Sequence, residues 1–312
     1  QKYFPLYNID QTLSKKFLGV SNIPINNNTQ IISGNERVLK ARLSDARFFF
    51  DNDVKNGLEK LSEKLKNIIF HRALGSMDKK VQRIFFIANK YADTFNADVK
   101  LVGSAAKLCK SDLCSEIVYE MPELQGGIGS IYATLQGLSS EVVLAIKEHY
   151  SPLGPSDNCP TSPESALLSL SDKLDSLIGF IAIDMKATGS KDPFGLRRSS
   201  LGIIRIILVN KIRISLKNLA HDSYGFYKKQ DIKLILSKDE TTKSYVEFLY
   251  DRLKVFMRDK GLSQSSIQAV YNVSKFSDIL NDFNKIEALD KFLNDADGKK
   301  FLNILKRVRR IL

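Results

Sequence analysis

Leu39, Leu43, Ala46, Phe50, Val54, Leu58, Leu61 and Leu65 recur at steps of three or four residues, and this helical period limits the fold more tightly than any other feature of the chain. A stripe of that length runs along one side of a helix and requires other apolar elements to cover it. Ser33 and Glu36 have capping-box spacing just ahead of it, which predicts a long amphipathic helix starting at Ser33. The same period returns in Val81, Ile84, Phe85, Ala88, Tyr91 and Ala92, then in Ala105, Leu108, Leu113 and Ile117, and again over 141–150. Four prolines make 151–163 a loop. Ser162-Pro163-Glu164 then opens a helix through Leu168, Leu174, Ile178 and Ile181, because proline at the first helical position loses no hydrogen bond and an acid there complements the helix dipole. Further helices are expected after residue 195, over 241–260 with Gly261 as the stop, and over 265–273, 277–293 and 299–312. Only residues 3–25 read as β structure, two short strands around a polar turn. The chain is therefore expected to be mainly α.

Its 312 residues allow about two structural units. The strongest apolar run, 201–209, is interrupted by Arg205 and falls short of the ~20 apolar residues of a membrane span. Cys109, Cys114 and Cys159 are an odd number without zinc-type spacing, which suits free thiols in a reducing cytoplasm. The chain opens on Gln1 and stops after KRVRRIL, and it reads as a piece of a longer protein.

Positive charge is concentrated. The net charge is +12; residues 186–229 hold ten Lys or Arg against Asp192 and Asp222, and residues 299–312 add six more with no acid, so the rest of the chain is close to neutral. A small-residue loop carrying Lys191, Arg197 and Arg198 leads into an apolar helix, and concentrated charge of this kind suits a polyanion such as nucleic acid. Arg205 lies among apolar neighbours on that helix and is expected to pair with a buried carboxylate.

Catalytic signatures are sparse. TGSKDP at 188–193 lacks the spacing of a phosphate-wrapping loop, no Gly-x-Ser-x-Gly elbow occurs, and Gly126, Gly127 and Gly129 follow helix-like sequence, which points to close packing or a tight turn. The order His71, then Lys110-Ser111-Asp112, then Asp172 and Asp175 resembles the helical HD phosphohydrolase scaffold, in which histidines and aspartates converge on a metal that activates water. Here Lys110 or Ser111 stands at the central ligand position, and a lysine repels a cation, so no metal is expected. Asp172 and Asp175 are expected instead to cap or pair within a helical core, and His149 to be a hydrogen-bonded helix end.

Six segments, GNERVLKARLSDARFFFDND (34–53), FHRALGSMDKKVQRI (70–84), KSDLCSEIVYEMPELQGGIG (110–129), AIKEHYSPLGPSD (145–157), SDKLDSLIGF (171–180) and TGSKDPFGLRRSSLGIIRI (188–206), resemble in order the beta subunit of the bacterial heterotetrameric glycyl-tRNA synthetase. The resemblance implies a degenerate HD-domain-like helical bundle over 33–225, after the end of a β-containing domain at 1–32 that leaves a short hairpin. It implies a helical extension over 226–312, containing the start of an anticodon-binding domain. It further implies an α2β2 ligase of the cytoplasm, with no membrane association, in which the alpha subunit uses ATP and Mg to join glycine to tRNA-Gly. The beta subunit would bind tRNA and hold no catalytic residue or cofactor of its own. Under that reading Lys191, Arg197 and Arg198 contact phosphate or a helix junction of tRNA, with an internal salt-bridge cluster of Lys191, Asp192 and Arg197 that fixes the loop as the alternative, and Lys306, Arg307, Arg309 and Arg310 lie near the anticodon side of the tRNA. Two alternatives stay open: a metal-dependent HD-type phosphohydrolase using His71, Asp112 and Asp172, and a scaffold that mainly docks the alpha subunit.

Overall fold

The computed structural model describes residues 3–22, 28–185, 192–274 and 278–311. Two compact units are present, Gln1–Phe48 and Phe49–Leu312.

In the first unit β1 (Tyr3–Tyr7) pairs antiparallel with β2 (Leu13–Gly19), with Phe4 opposite Leu18. The turn is held by Asp10, whose carboxylate accepts from the Thr12 N–H (3.0 Å) and hydroxyl (2.7 Å). The Tyr3 ring meets Phe17 edge-on, and its hydroxyl donates to Asn35 at 3.0 Å. Asn35 belongs to α1 (Thr29–Ser62), which starts four residues before the expected Ser33. Ser33 lies inside the helix and donates its hydroxyl to the Gln30 carbonyl, so its capping-box spacing is incidental. Further along, Gly57 adopts φ +74°, and the kink frees the Leu58 N–H, which donates to the Gln136 side chain. A Cβ at Gly57 would sit 2.3 Å from Gln136 Nε2.

The second unit is a helical bundle. A small antiparallel pair, β3 (Ile69–His71) and β4 (Gly75–Ser76), precedes α2 (Met77–Phe95), which Ser76 caps. Then come α3 (Val99–Leu108), α4 (Glu116–Glu120), α5 (Gly127–Leu135), α6 (Ser140–Glu148), α7 (Pro163–Ala182), α8 (Leu196–Val209) and α9 (Leu216–Lys229). The chain continues through α10 (Lys238–Asp259), α11 (Gln264–Ser274), α12 (Ile279–Asn294) and α13 (Ala296–Ile311). The helix expected through 105–117 is broken: α3 ends at Leu108, a 3₁₀ turn spans Ser111–Cys114, and Ser115 caps α4. The buried Asp53 supports that break by accepting the Glu116 and Ile117 N–H groups and the Tyr132 hydroxyl.

α7 is the axis of the bundle. Every residue from Glu164 to Ala182 except Ser176 is buried, and α2, α3, α6, α8, α9 and α10 pack around it. A helix enclosed on all sides must place its polar residues inside the protein as well, and those of α7 lead to the site. No helix among the described residues is long and apolar enough to cross a membrane.

Candidate nucleic-acid interface

Asp172 and Asp175, one turn apart on α7, face α2 and the end of α3. Asp172 is ion-paired with Lys110 at 2.8 Å and with Lys80 at 2.9 Å. Asp175 takes the Arg83 guanidinium in a two-point contact, 2.6 Å to Nε and 3.2 Å to Nη2, and the Lys80 ammonium at 3.3 Å. The Arg83 guanidinium also lies 3.9 Å from the Tyr227 ring and donates to the Gln230 side chain. Lys80, Arg83 and Lys110 are at most 3% exposed. Burial alone would raise the Asp172 carboxyl, but the Lys110 and Lys80 ammonium groups outweigh it and hold the group well below the usual carboxylate range. Cations of the protein itself therefore occupy the space in front of these carboxylates.

The other residues of the HD-like order go elsewhere. Asp112 accepts the Gly126 N–H at 2.5 Å, anchoring the glycine-rich turn ahead of α5, and burial pushes its carboxyl up. Gly126 has φ +80°, and a Cβ on Gly129 would approach Asp112 Oδ2 to 2.9 Å, so these glycines serve a tight turn and a close contact. His71 sits in β3 with its ring against Phe180 and Phe194, and its Nδ1 accepts from the Ala73 N–H. His149 caps α6 with Nδ1 2.6 Å from the Ile146 carbonyl, and burial, reinforced by Lys110, holds its pKa well below the ordinary value. Among the described residues no three His, Cys, Asp or Glu side chains gather as a metal site.

Lys173, beside Asp172, turns the opposite way. Its ammonium donates to the carbonyls of Tyr150 (2.9 Å) and Ser151 (3.0 Å) and to the Ser169 hydroxyl. Burial lowers its pKa to about 8. It thereby fixes the start of the proline-rich loop that runs along α8.

α8 begins where Asp192 accepts the N–H groups of Leu196 and Arg197, at 2.7 and 2.9 Å. On its outer side, against α10, lies a groove of about 360 Å³ lined by Arg197, Arg198, Arg205, Arg252 and Lys260, with Asp259 as the acid and Leu201, Val255 and Phe256 as the apolar surface. Arg198 and Lys260 are exposed, and Arg197 and Arg252 are half-buried. Arg205 corrects the expectation of a carboxylate partner: its guanidinium donates to the Gly154 and Asp157 carbonyls and holds the loop against α8. The charge-rich segment is thus divided in its use, for Arg213 pairs with Asp278.

Of the expected RNA contacts, Arg197 and Arg198 meet in this groove. Lys191 lies outside the described residues, as do the side chains of Lys306, Arg309 and Arg310 on α13, where Arg307 is exposed. Arg252, Phe256 and Lys260 were not expected. Their helix mixes acids and bases, so no local excess of charge marks them, and only the packing of α10 on α8 brings them to Arg198.

The profile of the glycyl-tRNA synthetase beta subunit family matches residues 1–272. Relatives named glycine–tRNA ligase beta subunit are 41% identical in Ruegeria sp. (strain TM1040) and 42% identical in Rickettsia bellii (strain OSU 85-389), each over the whole chain. A third, from Rhodospirillum centenum (strain ATCC 51521 / SW), is 39% identical. The chain belongs to the glycyl-tRNA synthetase beta subunit family. It spans about 44% of the length of the first two relatives. The span matched to the beta subunit family contains both the buried ion cluster and the groove, whereas α13 lies beyond it.

Proposed function

We propose that this chain is a tRNA-binding, non-catalytic part of a glycine–tRNA ligase beta subunit, acting in the cytoplasm beside an alpha subunit in an α2β2 complex. In that complex the alpha subunit supplies the ATP- and Mg-dependent attachment of glycine to tRNA-Gly. The observation that carries the reading is the groove between α8 and α10, where five cationic side chains meet on a chain of this family. Arginine and lysine at such a surface neutralise phosphates and position an RNA without reading its sequence. The bundle of residues 33–225 is read as a degenerate HD-like domain, in which the Lys80 and Lys110 ammonium groups take the place of a catalytic cation. That substitution disfavours the hydrolase alternative, because those ammonium groups repel a divalent ion from Asp172.

The test is a salt titration of this chain with tRNA-Gly and a non-cognate tRNA, with and without the alpha subunit. Affinity is expected to fall steeply with salt, with a logarithmic slope of about −0.7 to −0.9 per neutralised phosphate. Absence of binding at low salt would overturn the direct-contact reading and favour a docking scaffold for the alpha subunit.

A further inference from the structure

The groove is not a uniformly charged surface. Exposed Arg198 and Lys260 line it together with the half-buried Arg252, and Leu201 of α8 and Val255 and Phe256 of α10 add apolar surface. Val255 is 37% exposed and Phe256 is half-buried, with Lys260 Nζ 5.7 Å from the centre of the Phe256 ring and the Phe283 ring of α12 6.4 Å from it at 45°. At about 360 Å³ the groove falls in the ~300–1,000 Å³ range of clefts that enclose small molecules.

A paired RNA stem gains little from such apolar surface, because it presents sugar and phosphate outward and keeps its base faces stacked inside. An unpaired nucleotide presents both a planar π-face and a phosphate at a spacing that an aromatic surface with cations beside it can take together. The geometry points to the α8–α10 groove as a seat for an unpaired nucleotide of an RNA strand, with the base against Phe256 and Leu201 and the flanking phosphates on Arg198, Arg252 and Lys260. This inference rests on the RNA-binding reading above and narrows it from tRNA at large to a single-stranded segment. Arg205 and Lys173 take part as positioning residues: they hold the 150–157 loop, whose Pro155 forms one wall of the groove.

The experiment uses the 312-residue chain with two labelled probes, a blunt RNA duplex and the same duplex carrying a short single-stranded 3′ extension. The extended probe is expected to bind about tenfold tighter, the order of one base stacked on one aromatic side chain. Phe256→Leu keeps apolar bulk and removes the π-face, and it should abolish that preference by bringing the extended probe down to the affinity of the duplex. Phe256→Trp should retain the preference, which separates loss of stacking from loss of fold. Arg198→Glu should weaken the extended probe, whose flanking phosphate it contacts, and lower its salt slope by about one phosphate. Equal binding of the two probes, or a preference that survives Phe256→Leu, overturns the inference while leaving RNA binding intact. Competition by free AMP as effective as that by the extension overturns the strand as occupant. Failure to bind any RNA overturns both readings together.

Discussion

The bundle places lysines and arginines under two opposite conditions on neighbouring helices. In the interior Lys80, Arg83 and Lys110 are sealed from water, and each has a carboxylate of α7 within 3.3 Å. In the groove Arg198 and Lys260 face solvent, and Asp259 is the acid among the lining residues. Inside, the desolvation cost of each charge requires a fixed partner, so these cations hold α2, α3 and α7 in register and have no capacity for a ligand. In the groove water already solvates the charge, and an incoming phosphate exchanges with counterions at little cost. Identical side-chain chemistry is structural in one place and available for recognition in the other.

The difference breaks most visibly on substitution of Asp172. Asp172→Asn strands the buried Lys110 ammonium and leaves Lys80 to Asp175, and urea unfolding should show a loss of about 3–5 kcal/mol. RNA affinity of the folded fraction should stay unchanged; a loss of RNA binding without a loss of stability would contradict the division.

Lys173 tests the interior through pH. Its folded-state pKa of about 8 lies below the ordinary 10.5, so between those values the unfolded chain binds more protons and stability rises with pH. The cost of burying the charge is fully present below about 8 and is relieved toward 10.5, a change of up to about 3 kcal/mol. The difference in unfolding free energy between the parent chain and Lys173→Met should carry this slope, and a difference independent of pH would refute it.

In the groove, Arg198→Glu combined with Lys260→Glu, both at exposed sites, should weaken tRNA binding by about tenfold or more and flatten the salt slope by about one to two phosphates. Its effect on stability should remain near 0.5 kcal/mol, as expected for sites outside the packed core. A comparably small effect concerns the edge of the ion cluster. Gly126→Ala places a Cβ at φ +80°, 3.1 Å from the Tyr150 ring that lies over Lys110, and thermal unfolding should show a loss of about 1–2 kcal/mol.

Helix existence was legible from the chain wherever apolar spacing was long, as in α1, α2, α7 and α10. Ser162-Pro163-Glu164 located the start of α7 to the residue, since the Ser162 hydroxyl accepts the Ser165 N–H. Ser33 misled because a capping-box spacing has no force without the backbone geometry of a helix end. α9 was not anticipated, its apolar residues being interleaved with Lys217, His221, Lys228 and Lys229. Of the groove, Arg197 and Arg198 could be read from the local charge excess, while Phe256, Arg252 and Lys260 could not.

The strongly periodic helices, the Ser162 start of α7 and the concentration of positive charge were determined by the sequence itself, because propensity, capping and charge density there are set by residues within a turn or two of each other. Which cations are buried and which face solvent was decided only by the tertiary structure. Lys110 meets Asp172 across 62 positions and Lys80 meets Asp175 across 95, and α10 must fold back on α8 before Arg252 and Lys260 join Arg198. Desolvation and pairing depend on what surrounds a charge in space, and no local pattern in the chain encodes that.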